Sequence, residues 1–434
     1  MIEALKKLLP FTQKFILTDE HKLCLDYLEN TNQNLFISGK AGTGKTSLIH
    51  HFRSITKKKV VVLAPTGIAA LNIKGQTIHS FFKFPPRLIQ PHSITRVSTE
   101  RIYADIDCVV IDEISMVRAD ILDGIDQFLR LHGRDKNMPF GGIQIILVGD
   151  MYQLPPVVSR EEHEVFNRLY DSPYFFNARS FNSLALLYIE LQTVFRQKEL
   201  DYISLLNNVR TGNVTAETLQ LVNNRVHPEK VNDSYVILCT TNKVVEAINN
   251  NHLIALKTPE FKYDAMLEGM FPTEERNLPA ELQLKLKVGA RVLFVKNDNE
   301  GQWVNGTTGT VEKLDKSSIQ VKLDNSGKLV AVHRDTWENI RYNMDETTGE
   351  IKSKPVGKMT QYPLKLAWAI TIHKSQGMSF DKVCLDFSKS PFTHGQTYVA
   401  LSRCRTLDGL ILTRKIWPND ILIDERITSF YRRL

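Results

Sequence analysis

The chain has 434 residues, 42% hydrophobic and 24% charged, with 55 Lys and Arg against 48 Asp and Glu. That balance lets the chain bury real cores, so wholesale disorder is excluded, and at about 150 residues per domain the length suggests about three domains. No apolar run reaches the roughly 18 residues that a membrane span needs, and the net charge of +7 is a mild basic excess that does not by itself establish nucleic-acid binding. The first residues carry Glu3, Asp19 and Glu20 and lack the pattern of a signal peptide. Five scattered cysteines (Cys24, Cys108, Cys239, Cys384 and Cys404) argue against a disulfide framework or a structural zinc site and fit a reducing, cytoplasmic setting.

In chain order, apolar runs at 34–38, 59–64, 108–111 and 143–148 read as buried strands. Helical stretches lie between them, which predicts a parallel sheet covered on both faces. Ligands of such sheets sit at the carboxyl ends of the strands, where Lys45, Thr66, Asp112, Glu113 and Asp150 fall. Residues 71–103 are irregular, with Phe81, Phe82, Phe84, Pro85 and Pro86 crowded together, and read as an insertion. A second α/β pattern starts near Phe181, with a strand at 235–239, and 259–279 reads as loop. From 291 to 359, short runs at 292–295, 309–314, 319–323, 328–333 and 340–343 alternate with turn signals and predict a small barrel. Buried runs return at 364–372 and 382–386. The expected organisation is therefore a first α/β unit from 1–70 and 104–180, interrupted by 71–103. A second unit is expected from 181–290 and 360–434, interrupted by a barrel at 291–359.

Gly39-Lys40-Ala41-Gly42-Thr43-Gly44-Lys45-Thr46 matches the phosphate-binding loop. Its glycines let backbone N–H groups close around phosphate oxygens, with a helix N-terminus behind them. Lys45 brings positive charge to the β/γ-phosphates of ATP, and the Thr46 hydroxyl is a Mg²⁺ ligand. Asp112 and Glu113 end a buried run, Asp112 to hold Mg²⁺ and Glu113 to orient or deprotonate the attacking water. Gln153, just past a strand end, can contact the γ-phosphate or be an ordinary loop residue. Arg196 and Arg403 either reach across an interdomain cleft to the transferring phosphoryl group or lie on the surface.

The chain resembles the Pif-type family of DNA helicases in helicase superfamily one, with RecD-type helicases as neighbours. The resemblance rests on Ala64 to Ala70, Gly75 to Phe82, Gly149 to Pro156, Leu286 to Ala290, Thr371 to Gly377 and Tyr398 to Arg403, with Val165 to Gln197 similar to the family's signature region. It implies two RecA-like motor domains with ATP between them and five-prime to three-prime travel on single-stranded DNA. It further implies unwinding of duplex, forked or G-quadruplex DNA, with RNA–DNA hybrids as a further partner. It makes Arg196 and Arg403 γ-phosphate arginines and Gln153 a sensor. It adds Gly377 to the nucleotide contacts, makes 71–103 a wedge and the barrel a Src-homology type. His21 stands where the family commonly has an adenine-reading Gln. The short ends fit a compact bacterial or phage-like version, a monomer in solution with a dimer on DNA as the alternative.

Candidates for the strand path are Thr66, Asn72, Thr77, His79 and Phe81 on the first unit, and Thr240, Thr241, Asn242, Thr371, His373 and Lys374 on the second. Many modest contacts suit stepwise release. From Gly357 onward 12 Lys and Arg face 6 Asp and Glu, so this segment carries +6 of the +7. Phe81 reads equally well as core. The rival functions are a DNA-stimulated ATPase that remodels or anneals without unwinding, and a phosphotransferase acting on a small molecule. Lys45→Ala is expected to abolish ATP hydrolysis while leaving DNA binding largely intact, as measured by phosphate release and by anisotropy of a labelled oligonucleotide.

Overall fold

The computed structural model describes residues 16–85, 87–90, 94, 102–159, 161–273, 278–298, 300–316, 318–324, 326–344 and 351–434. The turn signals at 347–349 and the stretch 95–101 of the expected wedge lie outside them. The first α/β unit is built on β1 (Leu35–Gly39), β2 (Val60–Ala64), β3 (Gln76–Thr77), β4 (Cys108–Ile111), β5 (Gln144–Gly149) and β6 (Leu187–Leu191), a six-stranded sheet in the order β3-β2-β4-β5-β1-β6. Every pairing in it is parallel. β1, β4 and β5 are buried along their whole length. That burial is why their sequences are unbroken apolar runs rather than alternating ones.

β6 corrects the expected boundary at 180/181. Leu187–Leu191 pairs with β1 and closes the first sheet rather than opening the second. Its half-buried Leu187, Tyr188 and Glu190 mark it as an edge strand, a pattern equally compatible with either sheet.

The second unit's sheet uses β7 (Val236–Cys239) and, later in the chain, β18 (Ala369–Thr371), β19 (Val383–Asp386) and β20 (Leu410–Leu412). Their order is β18-β7-β19-β20 and their pairing parallel. Between them lie three antiparallel pieces. β8 (Phe261–Asp264) pairs with β10 (Gln283–Leu286), and β9 (Met266–Gly269) pairs with β16 (Ile351–Gln361). Two strands therefore occupy the segment 259–279 expected to be loop. They are short, and β9 is exposed throughout, so hydropathy does not mark it.

β11 (Arg291–Phe294), β12 (Thr308–Leu314), β13 (Ile319–Leu323), β14 (Leu329–Val332) and β17 (Leu364–Leu366) form a five-stranded sheet in the order β14-β13-β12-β11-β17. β15 (Asp335–Met344) and β16 (Ile351–Gln361) leave it to make a long hairpin beside β9. The run 364–372 is thus two strands in two sheets: β17 completes the small sheet and β18 resumes the large one.

The two parallel-sheet units meet along a seam. The second unit's last helix, Glu425–Tyr431, crosses back onto the first unit. Phe430 is buried there, its ring 4.3 Å from that of Phe176 and within 6 Å of Phe36, Phe175 and Phe181. Phe430→Ala would leave a cavity among these rings and cost about 3–5 kcal/mol, read as a lower midpoint in urea unfolding.

Candidate nucleotide and nucleic-acid site

The phosphate-binding loop joins β1 to the helix Lys45–Ile55. Gly42 and Gly44 hold φ of +86° and +84°, the left-handed region that glycine enters freely. At Gly42 a Cβ would also lie 2.5 Å from the Cβ of Arg196. Lys45 donates from Nζ to the carbonyls of Gly39 at 2.7 Å and Lys40 at 3.0 Å. The Thr43 hydroxyl donates to the Lys40 carbonyl at 3.0 Å. Burial pulls the Lys45 ammonium below its ordinary pKa, opposed by the charges of Asp150, Glu113 and Asp112. Gly39 begins this cradle, and Thr46 lies exposed in the helix's first turn.

Asp112 and Glu113 follow β4. Asp112 is buried, and its Oδ1 accepts from the Glu113 N–H at 2.9 Å. Glu113 has a φ of +51°, an uncommon conformation for a side-chain-bearing residue and one that clusters at functional sites. Burial raises both carboxyls; Glu113 adds to the rise at Asp112, while Lys45 opposes it at both. The Thr46 hydroxyl and these crowded carboxylates are the hard oxygen donors that Mg²⁺ takes, and their repulsion is what a divalent cation would offset, so the residues present fit that ion.

Arg196 comes from the connection that follows β6, and Gln376, Gly377 and Arg403 come from the other side of the seam. The Phe195 N–H donates to the Gly42 carbonyl at 2.9 Å, which presses Arg196 against the loop. Arg196 Nη1 then reaches the carbonyl of Ser402 at 3.3 Å. Arg403 is buried, donating to the carbonyls of Val399 at 2.9 Å, Ser375 at 3.2 Å and Met378 at 3.3 Å. Burial, and then the nearby Arg196, pushes its guanidinium down from its ordinary pKa. Gln153 is buried, and its Oε1 accepts from Gln376 Nε2 at 3.3 Å. The loop, both acids, Gln153 and both arginines therefore share one seam.

A second polar chain behind the loop was not legible in the sequence. Asp150, with no exposed surface, accepts from Arg210 at 3.0 Å and from the Tyr398 hydroxyl at 3.2 Å. The Tyr398 hydroxyl also accepts the N–H of Ala41 in the phosphate loop at 2.9 Å. Burial disfavours the Arg210 charge, but Asp150 and Tyr398 outweigh it and hold the guanidinium above its ordinary pKa. The Tyr431 hydroxyl meets Ser38 Oγ at 2.8 Å and the Met151 N–H at 3.3 Å. The available signals were Asp150 at a buried strand's end and Tyr398 at the start of the Tyr398–Arg403 motif; neither shows the pairing, and Arg210 sits in a helix without any local mark.

His21, at the position where the family commonly has an adenine-reading Gln, is buried, with only 1% of its surface exposed. Its Nδ1 accepts from the Thr18 N–H at 3.2 Å, completing a capping box at the start of the helix Asp19–Asn30. Burial lowers its pKa, with a backbone hydrogen bond to Thr43 opposing, so the ring splints this helix to the phosphate loop. Phe195, stacked on it at 6.1 Å and 38% exposed, is the ring that faces outward.

Of the strand-path candidates, Asn72, Asn242 and Lys374 are exposed. Thr66, Thr77, His79, Thr241 and His373 are half-buried. The hydroxyls of Thr66 and Thr77 are taken by helix caps, accepting from Ala69 and Ser80. Thr240 and Thr371 are buried, Thr240 donating to the Lys389 carbonyl at 3.1 Å. Phe81 is core, in edge contact with Phe82 at 4.9 Å and Tyr103 at 5.3 Å, so no base can stack on it. Asn72 and Gly377 face each other across the seam. Among the described residues no helix is long and apolar enough to cross a membrane.

A PIF1-like helicase family model matches residues 16–220, and a helicase family model matches 294–420. The ATP-dependent DNA helicase Pif1 of Bdellovibrio bacteriovorus is 31% identical over 96% of this chain and 92% of its own. The crystal structure of Bacteroides sp Pif1 in complex with ADP-AlF4 is 38% identical, covers 97% of both chains and superposes with a TM-score of 0.88. Bacteroides Pif1 bound to ssDNA, also 38% identical and covering 97% of both chains, superposes with a TM-score of 0.71. Gly42→Ala should raise KM for ATP and lower kcat, because Arg196 must yield to the new Cβ. The left-handed backbone adds a cost of about 1 kcal/mol, so steady-state ATPase kinetics should fall far more than the melting temperature.

Proposed function

Because the chain belongs to the PIF1-like helicase family and is thereby an ATP-dependent DNA helicase, we propose that it travels five-prime to three-prime on single-stranded DNA and opens forks and G-quadruplexes ahead of it. The observation that carries this reading is the continuity of the seam. Gly42 of the phosphate loop packs on Arg196, and Arg196 bonds to Ser402 beside Arg403. A nucleotide in the loop therefore touches both parallel-sheet units, and its breakdown changes how they fit.

In this reading Lys45 and the loop N–H groups hold the β- and γ-phosphates. Thr46 and Asp112 hold Mg²⁺, which would screen phosphate charge. Glu113 takes the proton of the attacking water, and Gln153 meets the γ-phosphate. Arg196 and Arg403 stabilise charge on the transferring group. Arg403 now spends its donors on carbonyls of its own unit, so its reach to a phosphate requires the cleft to close. The lower TM-score to the strand-bound relative than to the ADP-AlF4 complex supports a rearrangement of the two units on a strand. Asn72, Asn242 and Lys374, exposed on both units, would then grip the strand alternately. The protein would do so as a monomer, in the bacterial cytoplasm.

Strand displacement with tails of either polarity tests this directly. Unwinding is expected only with a five-prime tail and only with ATP, with ATPase stimulated by oligo(dT) and the stimulation weakening as salt rises. Annealing without displacement, or hydrolysis indifferent to DNA, would retire the reading.

A further inference from the structure

Resting on the reading of Glu113 as the base and of 371–374 as part of the strand grip, we propose that Gln376 is a positioning residue for hydrolysis, through which an occupied strand site sets the reactive groups of the other unit. Gln376 lies on the turn after β18. Its Nε2 donates to Glu113 Oε2 at 3.0 Å and to Gln153 Oε1 at 3.3 Å. One amide nitrogen thus holds both side chains that the first unit aims at the γ-phosphate. With its oxygen engaged, Gln153 keeps its NH2 for a phosphate oxygen. The Oε1 of Gln376 is buried without a partner. A buried amide rarely leaves its acceptor unused, so the nitrogen's contacts, and not full satisfaction, hold the side chain in place.

The turn joins this amide to the strand grip without a loose joint. The Lys374 N–H donates to Thr371 Oγ1 at 3.2 Å, and the Ser375 N–H to the Thr371 carbonyl at 3.0 Å. The Gln376 N–H donates to the His373 carbonyl at 3.2 Å. Arg403 Nη1 grips the carbonyls of Ser375 and Met378, one on each side of Gln376. Lys374 is exposed at the outer end of the turn, and the amide is at its inner end. A strand drawing on Lys374, or a phosphate drawing on Arg403, therefore shifts Gln376 and with it the setting of Glu113 and Gln153.

The test is steady-state ATPase of the full chain with and without saturating oligo(dT), comparing wild type, Gln376→Met and Lys374→Ala. Methionine keeps the length and removes the donor. Gln376→Met is expected to keep KM for ATP and Kd for oligo(dT) within about twofold while losing about tenfold or more of the oligo(dT)-stimulated kcat, a loss confined to the turnover step. Lys374→Ala is expected to weaken oligo(dT) binding and, even at saturation, to lose part of the stimulated kcat, because the strand no longer draws on the turn at that point. Wild-type stimulation in Gln376→Met, or a loss entirely in KM, overturns the proposal. Should Gln376→Met melt early, Gln376→Asn, which keeps the amide and shortens its reach, carries the same expectations and the same refutation. Full hydrolysis by Glu113→Gln, or unchanged oligo(dT) affinity in Lys374→Ala, would instead bring down the site reading beneath the proposal, and the proposal with it.

Discussion

The Asp150 carboxylate has no exposed surface, and everything around the phosphate loop is arranged to make that tolerable. An isolated buried charge would cost several kcal/mol. Here Arg210 supplies the counter-charge, while the Tyr398 hydroxyl and the Tyr152 N–H supply hydrogen bonds. Each donor comes from a different stretch of chain. Arg210 and Tyr398 lie on helices that follow β6 and β19, so the charge at the end of β5 pins the second unit's helices against the first sheet. Tyr398 carries that constraint one step further by taking the N–H of Ala41. The loop that cradles phosphate is thereby fixed to both sides of the seam.

That arrangement explains how a local binding event can move a large structure. The seam is polar and hydrogen-bonded where nucleotide would enter, around Gln153, Gln376 and Arg403, and aromatic behind it, where Phe430 and Tyr431 lie against the first unit. Tyr431 stacks on Tyr152 at 5.1 Å with the rings almost parallel. The aromatic part is non-directional and resists separation. The polar part has few partners per group, and those can be exchanged for phosphate oxygens. In the proposed cycle, a seam with a sticky back and an exchangeable front would close and open without dissociating.

The chemistry on the first unit was legible because it is local. Gly39 to Thr46, and Asp112 with Glu113, are contiguous residues whose spacing follows from strand, turn and helix geometry. Most buried strands of both parallel sheets were legible for a similar reason, since burial on two faces forces an unbroken apolar run, but the three-residue β20 and the two-residue β3 are too short to give that signal. β6 was misassigned because an edge strand carries only half of that signal. β8 and β9 were missed because short exposed strands carry almost none. Phe81 read equally well as platform or core, since hydropathy does not say which way a ring points.

By itself the sequence determined that a nucleotide triphosphate is handled at the end of a parallel sheet, and that two such sheets are present with a smaller β piece inserted in the second. Tertiary structure alone decided which groups share the site. Gln376 and Glu113 are 263 positions apart yet bonded. His21, at the position that the resemblance gives to an adenine-reading Gln, packs under Gly44 of the phosphate loop. The reason is that backbone conformation is dictated by near neighbours, whereas the pairing of buried charges and amides is dictated by whatever the packed core brings within about 3 Å, and that is a property of the whole chain.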